Sequence, residues 1–181
     1  MDVFVEYMVK KQNTALEILL KIFYALAGIA ICAVCVFFAF FSQMFGMVLF
    51  MVGAGAIYGA YYLISNMSVE YEYIITNGEM DVDKIMARKR RKRLMTANAR
   101  HFEEFGLYRH DEQQNKQYDN RVYACASLTA PDTYYAVLKH RTLGRTLLVF
   151  TPNDRVIEAI KSYIPRQAGG NANHGIRSDR D

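Results

Sequence analysis

Between Ile22 and Ile64 the chain carries no Asp, Glu, Lys, Arg or His. The stretch divides into two apolar runs, IFYALAGIAICAVCVFFAFF (22–41) and MFGMVLFMVGAGAIYGAYYLI (44–64), parted only by Ser42-Gln43. As a helix rising ~1.5 Å per residue, each run is long enough to cross the roughly 30 Å hydrocarbon core of a bilayer. A helix apolar on every face has to be hidden by lipid or by a large surrounding domain. A chain of 181 residues has too little outside 22–64 to build such a domain around two helices. The pattern therefore predicts a two-span membrane hairpin.

Charge on the flanks orients it. Lys10, Lys11 and Lys21 precede the first run. Lys84 and the unbroken basic run Arg88, Lys89, Arg90, Arg91, Lys92, Arg93 follow the second, and nothing charged lies between. By the positive-inside rule both termini are cytoplasmic, Ser42-Gln43 is outside, and the protein is a multi-pass protein of the cell membrane. Phe23 and Tyr24 at one end of the hairpin and Tyr58, Tyr61 and Tyr62 at the other fall on the same side, where interfacial aromatics belong. The apolar segment starts too late and runs too long for a cleavable signal peptide. Small residues recur at helical spacing, Ala27, Ala30 and Ala33 in the first span and Gly55, Ala56, Gly59 and Ala60 in the second. They let backbones approach, and packing of the two spans against each other is preferred to a homodimer face, which stays open as the alternative. The absence of ionisable groups within the spans argues against an ion or substrate pathway.

Outside the hairpin, Lys plus Arg number 22 against 18 Asp plus Glu over the whole chain. So small an excess suits a membrane surface better than a nucleic-acid partner. Cys32 and Cys35 lie in the first span and Cys125 stands alone, so neither a disulfide framework nor a zinc site is indicated. Residues 1–21 mix apolar and polar positions and read as an interfacial segment, weakly amphipathic, with Thr14 and Glu17 spaced as a helix capping box.

Beyond Ile64 the apolar period changes from 3.6 to 2. In VEYEYIIT (69–76) Val69, Tyr71, Tyr73 and Ile75 share one face, Asn77-Gly78 is a strong hairpin turn, and Met80 and Val82 continue the apolar face on the returning strand. The other face gathers Glu70, Glu72, Glu79, Asp81 and Asp83. Without calcium-loop spacing or a neighbouring nucleophile, these carboxylates read as a solvated face charge-paired with the basic strand that follows. Further strand-like runs are predicted at 94–97, 102–108, 122–128, 134–140 and 146–150, with 109–120 an exposed polar loop. A helix follows, with Thr151 as N-cap, Pro152 at its first position, Asp154 closing a capping box, an apolar face of Val156, Ile157, Ile160 and Ile164, and Pro165 as its stop. Residues 167–181 are Gly, Asn and charge, the composition of a disordered tail. The organisation expected is thus an N-terminal interfacial segment (1–21), the hairpin (22–64), a small mainly-β domain (65–165) and a tail (166–181).

This pattern resembles the bacterial pleckstrin-homology-like (PH-like) membrane proteins. The likeness rests on a membrane hairpin running into YIITNG (73–78), on a basic stretch at the second and third strands, and on the closing LLVFTPNDRVIEAIKSYI (147–164). The resemblance implies about seven strands in two sheets closed by a C-terminal helix, and binding or scaffolding rather than catalysis. The motifs agree. No phosphate-cradling loop, nucleophile elbow or HExxH helix occurs, and His101, His110, His140 and His174 have no ligand spacing. No enzyme, cofactor, metal or nucleic-acid partner is expected.

Two functions remain. In one, a membrane-anchored module binds anionic lipid headgroups or a protein segment at the inner surface, with 88–93 as the headgroup-binding residues. In the other, the hairpins assemble into a membrane-active or transport-associated oligomer that the cytoplasmic domain regulates. Charge-free spans favour the first.

Overall fold

The computed structural model describes residues 3–41, 44–166 and 168. They separate into two compact units. One is Asn13–Val69, and the other joins the N-terminal residues up to Gln12 to everything from Glu70 onward.

The first unit is a helix pair, α1 (Ala15–Phe41) and α2 (Gly46–Asn66). The Thr14 N–H donates to the Glu17 carboxylate at 3.0 Å, one half of the expected capping box. The helices meet along Gly28, Cys32, Cys35 and Ala39. A Cβ on Gly28 would run into Ala60, and one on Gly53 would touch Cys35 and Cys32. This corrects the expected small-residue stripe. Ala30 and Ala33 are exposed, and only Ala56 and Ala60 of the second set face the partner helix, with nothing within 4 Å of where a Cβ on Gly55 or Gly59 would sit. At 3.6 residues per turn a strict three-residue spacing walks off a helix face, whereas alternating steps of four and three stay on it. Large apolar side chains remain uncovered all round the pair, Phe40 at 80% and Met47 at 81% exposure among them. Both helices are long and apolar enough to span a membrane. Ser42-Gln43, the expected turn, lies outside the described residues, as does the expected tail except Arg166 and Ala168.

The second unit holds eight strands: β1 (Phe4–Lys10), β2 (Val69–Thr76), β3 (Glu79–Met86), β4 (Arg90–Asn98), β5 (Phe102–Leu107), β6 (Asn120–Ala124), β7 (Tyr134–His140) and β8 (Gly144–Phe150). Two helices accompany them, α3 (His110–Gln114) and α4 (Asp154–Lys161). The strands form two four-stranded sheets, ordered β1-β2-β3-β4 and β5-β7-β8-β6, with β6 parallel to β8. Two sheets with a C-terminal helix are the architecture that the strand pattern and the resemblance implied.

The added strand is β1, and it corrects the reading of 1–21 as an interfacial segment. Phe4–Lys10 pairs antiparallel with β2 from Phe4↔Thr76 to Lys10↔Glu70. Val5, Tyr7 and Val9 are partly or fully buried in alternation with exposed Phe4, Glu6, Met8 and Lys10. That period of two is hidden in the sequence because Phe4 and Met8, on the outward face, are themselves apolar. The β-unit is therefore discontinuous, and the chain passes through α1 and α2 between two adjacent strands of one sheet.

Tyr73 joins the two sheets. Its ring packs edge-on to Phe150 at 5.8 Å, and its hydroxyl donates to the Ala124 carbonyl and accepts the Thr151 N–H at 3.2 Å. Burial pushes the phenol far above its ordinary range. The other face of the second sheet holds Cys125, Tyr135, Val137, Leu147 and Val149 beneath Tyr108 and Tyr118. The 109–120 segment is accordingly not a simple exposed loop, since it contains α3, and Gln113 is buried, accepting from the Tyr118 hydroxyl at 2.5 Å.

The start of α4 is a second correction. Asn153, not Thr151, is its N-cap, with Oδ1 accepting the Val156 N–H at 2.9 Å. The Thr151 hydroxyl is already engaged, accepting the Ala126 N–H at 3.1 Å beside Thr133. Of Thr151 and Asn153, both capping residue types, the one whose oxygen is free takes the role. Val156, Ala159 and Ile160 are buried beneath α4.

Candidate functional site

The basic run begins at the tip of the β3–β4 hairpin and continues into β4. At the tip Ala87 and Arg88 adopt left-handed backbone, φ 52° and 56°, and Lys89 N–H closes on the Met86 carbonyl at 3.0 Å. Neither residue type favours that region, which costs roughly 1–2 kcal/mol per residue. From Met86↔Arg90 to Asp83↔Arg93 the strands then pair residue for residue up to a register shift between Val82 and Asp83.

Strand alternation splits Arg90–Arg93 in two, and at the tip before β4 Arg88 joins the paired half. One half meets the carboxylates of the outer face of the first sheet. Arg93 contacts Asp81 and Asp83, both at 2.9 Å, and the Thr96 hydroxyl donates to Asp81 at 2.5 Å. Arg91 lies 2.5 Å from Glu72 and 3.9 Å from Asp83, and Arg88 reaches Glu70 at 3.3 Å. This is the charge pairing anticipated from the acidic pattern of β2 and β3. Glu72 and Asp83 are 1% and 2% exposed, so their partners compensate buried charge rather than decorate a surface. Glu72 is compensated least well. Burial raises its carboxyl above the ordinary value, Arg91 opposes that rise, and a hydrogen bond with Glu6 and the charges of Glu6 and Asp83 add to it. Its Oε2 has no well-aligned hydrogen bond despite the close arginine.

The other half, Lys89, Arg90 and Lys92, has no carboxylate partner among the described residues. Arg90 stands opposite Met86, and Lys92 stands directly opposite Lys84. The six residues 88–93 are thus contiguous in sequence yet form two chemically different sets, arginines tied into a lattice and cations left over.

Lys84 belongs with the unpaired set, although reading the basic run alone omits it. It is in phase with Met80 and Val82 on the core-facing side of β3, a position where a lysine breaks the apolar pattern. That break was the available signal. Among the described residues no group of His, Cys, Asp and Glu is placed to hold a metal ion, and Cys125 is buried, which pushes its thiol up. His101, His110 and His140 form no such group with it, and His174 lies outside the described residues.

Residues 1–169 match a family model described as "Bacterial PH-like domain (DUF6106)". Neither a curated protein nor a solved structure gives a match.

Proposed function

From the premise that this chain belongs to the bacterial PH-like domain family, we propose that it is a membrane-anchored, non-catalytic binding module. Its β-unit is held at the cytoplasmic surface, both termini are cytoplasmic, and it contacts anionic lipid headgroups. The observation that carries this reading is the division of the basic run. A run that served only to neutralise Glu70, Glu72, Asp81 and Asp83 would need Arg88, Arg91 and Arg93 and nothing more. Lys89, Arg90 and Lys92 are left without carboxylates, and each such side chain near an anionic leaflet contributes about 1 kcal/mol, fading within a Debye length of ~8–10 Å. The two apolar helices supply the anchor, and the charge asymmetry around them supplies the orientation.

Thiol labelling tests both parts. With Ala87→Cys at the hairpin tip, an impermeant reagent should leave intact cells unlabelled at this position and reach it after permeabilisation. In nanodiscs the labelling rate should be lower with phosphatidylserine than with zwitterionic lipid, and salt should erase the difference. Labelling in intact cells would reverse the orientation. A rate indifferent to lipid charge would remove the headgroup contact.

A further inference from the structure

We infer that the open edge of β1 is a self-association surface, along which Glu6–Lys10 of two copies of this chain pair antiparallel and carry the first sheet from one copy into the next.

β1 ends the first sheet, with β2 on one side and no strand among the described residues on the other. The Asn77 N–H donates to the Val3 carbonyl at 3.0 Å, which sets the phase of the β1–β2 ladder. Residues in step with Val3 turn their backbone groups toward β2, so Phe4, Glu6, Met8 and Lys10 turn theirs outward. Among the described residues no backbone hydrogen bond meets them there.

An open edge is ordinarily guarded by charge of one sign or by a cover. β4, at the other end of the same sheet, begins with Arg90, Arg91, Lys92 and Arg93, which repel an antiparallel copy of themselves. β1 has no such guard. It carries one acid and one base, Glu6 and Lys10, and between them on the same face Met8, 56% exposed.

The two charges select the partner. They stand ~13 Å apart along the strand and do not pair with each other. Lys10 has no ion pair among the described residues, since Glu70 opposite it is taken by Arg88 at 3.3 Å. Glu6 has no cation either, and lies instead by Glu72, whose carboxyl it helps to raise. A second copy of the strand, related by a two-fold axis normal to the sheet, supplies both missing partners. With Met8 opposite Met8 of the second copy, Glu6 falls opposite its Lys10 and Lys10 opposite its Glu6 on the outer face, while on the inner face Tyr7 falls opposite Val9. Glu6, Met8 and Lys10 are also the residues whose backbone turns outward, so the same register closes the hydrogen bonds. Moving the axis to Tyr7 leaves Glu6 opposite Met8, and moving it to Glu6 sets that carboxylate against itself. The Val3 end of the strand is already engaged, with Val3 and Asn77 bonded to each other and the Tyr163 ring over Gly78, so the pairing draws on the other half of β1.

Disulfide trapping of the full-length protein in isolated membranes tests this. At a hydrogen-bonded pair the two Cα atoms lie ~5.5 Å apart, within the ~4.4–6.8 Å that a disulfide spans. Met8→Cys should therefore give a disulfide-linked dimer on mild oxidation. The wild type, with Cys32, Cys35 and Cys125, should not. Neither should Phe4→Cys, which is more exposed at 65% but far from its own copy in this register. In the Met8→Cys background, Glu6→Lys or Lys10→Glu should lower the cross-linked fraction by about fivefold, because each sets like charges opposite one another on both sides of the axis. The double reversal should restore it. Unfolding midpoints identify variants that still fold, and if one reversal does not, the other and the Phe4→Cys control still decide. The inference is overturned by a folded Met8→Cys protein that gives no dimer or is linked to a different protein, by equal cross-linking of Phe4→Cys, by single reversals without effect, or by a double reversal that fails to recover. Headgroup docking is scored apart from it by the Ala87→Cys labelling, which needs one copy only.

Discussion

The first sheet makes two tight turns with left-handed backbone, and they are built from opposite materials. At the β2–β3 turn Asn77 and Gly78 have φ of 51° and 87°, and both residue types tolerate that region. Everything around the turn fastens it. Asn77 N–H donates to the Val3 carbonyl at 3.0 Å, Val3 N–H returns to the Asn77 side chain at 3.1 Å, Ala99 N–H donates to the Gly78 carbonyl at 2.8 Å, and the Tyr163 ring covers Gly78. The β3–β4 turn puts Ala87 and Arg88 into nearly the same conformation. Among the described residues it is held by the Lys89 N–H to Met86 closure and an ion pair from exposed Arg88 to Glu70. A turn that residue choice and packing both favour is structural. One that residue choice opposes, in an exposed basic tip, stores strain where a ligand contact is proposed.

The largest effect that would sharpen this contrast is Gly78→Ala. It forces a Cβ into left-handed backbone and into the Tyr163 ring, and should destabilise the β-unit by about 2–4 kcal/mol. The chain has no Trp, so tyrosine fluorescence of the detergent-solubilised protein in denaturant is the convenient readout. Ala87→Gly should act in the opposite direction and less strongly. It relieves the left-handed strain at the cost of glycine's chain entropy, a net gain of up to about 1 kcal/mol. If both substitutions destabilise alike, the two turns are not different in kind.

The smallest effect concerns the lattice that the strained tip leads into, and it shows in the pH profile. The folded state raises the Glu72 carboxyl above its ordinary value of 4.5, so between that value and the raised one the folded protein binds more protons than the unfolded chain. Stability therefore falls as pH rises through this window. Glu72→Gln should flatten that fall and leave the protein as stable at neutral pH, with Arg91 still facing Asp83. A steeper profile, or a marked loss at neutral pH, would mean that the Arg91 pair outweighs the burial of Glu72.

These features differ in how far they can be read from residues alone. The hairpin strands on either side of Asn77-Gly78 are legible because Tyr71, Tyr73, Ile75, Met80 and Val82 keep one period and the turn dipeptide admits only a few conformations. The division of the basic run is legible in outline, since alternate residues of a strand face opposite ways. Which arginines meet which carboxylates is not, because the register shift between Val82 and Asp83 resets the phase of β4.

The sequence by itself determined what depends on local composition and period: two charge-free apolar helices, a strand hairpin, two sheets' worth of β-pattern, and a closing helix. Only the tertiary structure decided that Phe4–Lys10 completes the first sheet from the far side of the hairpin, that Asn153 rather than Thr151 caps α4, and that four cations near the β3–β4 hairpin have no acidic partner among the described residues. Each of those depends on a competition for a partner distant in the chain, an open sheet edge for β1, the Ala126 N–H for the Thr151 hydroxyl, a limited set of carboxylates for the basic run. Such competitions are resolved by geometry that no local pattern encodes.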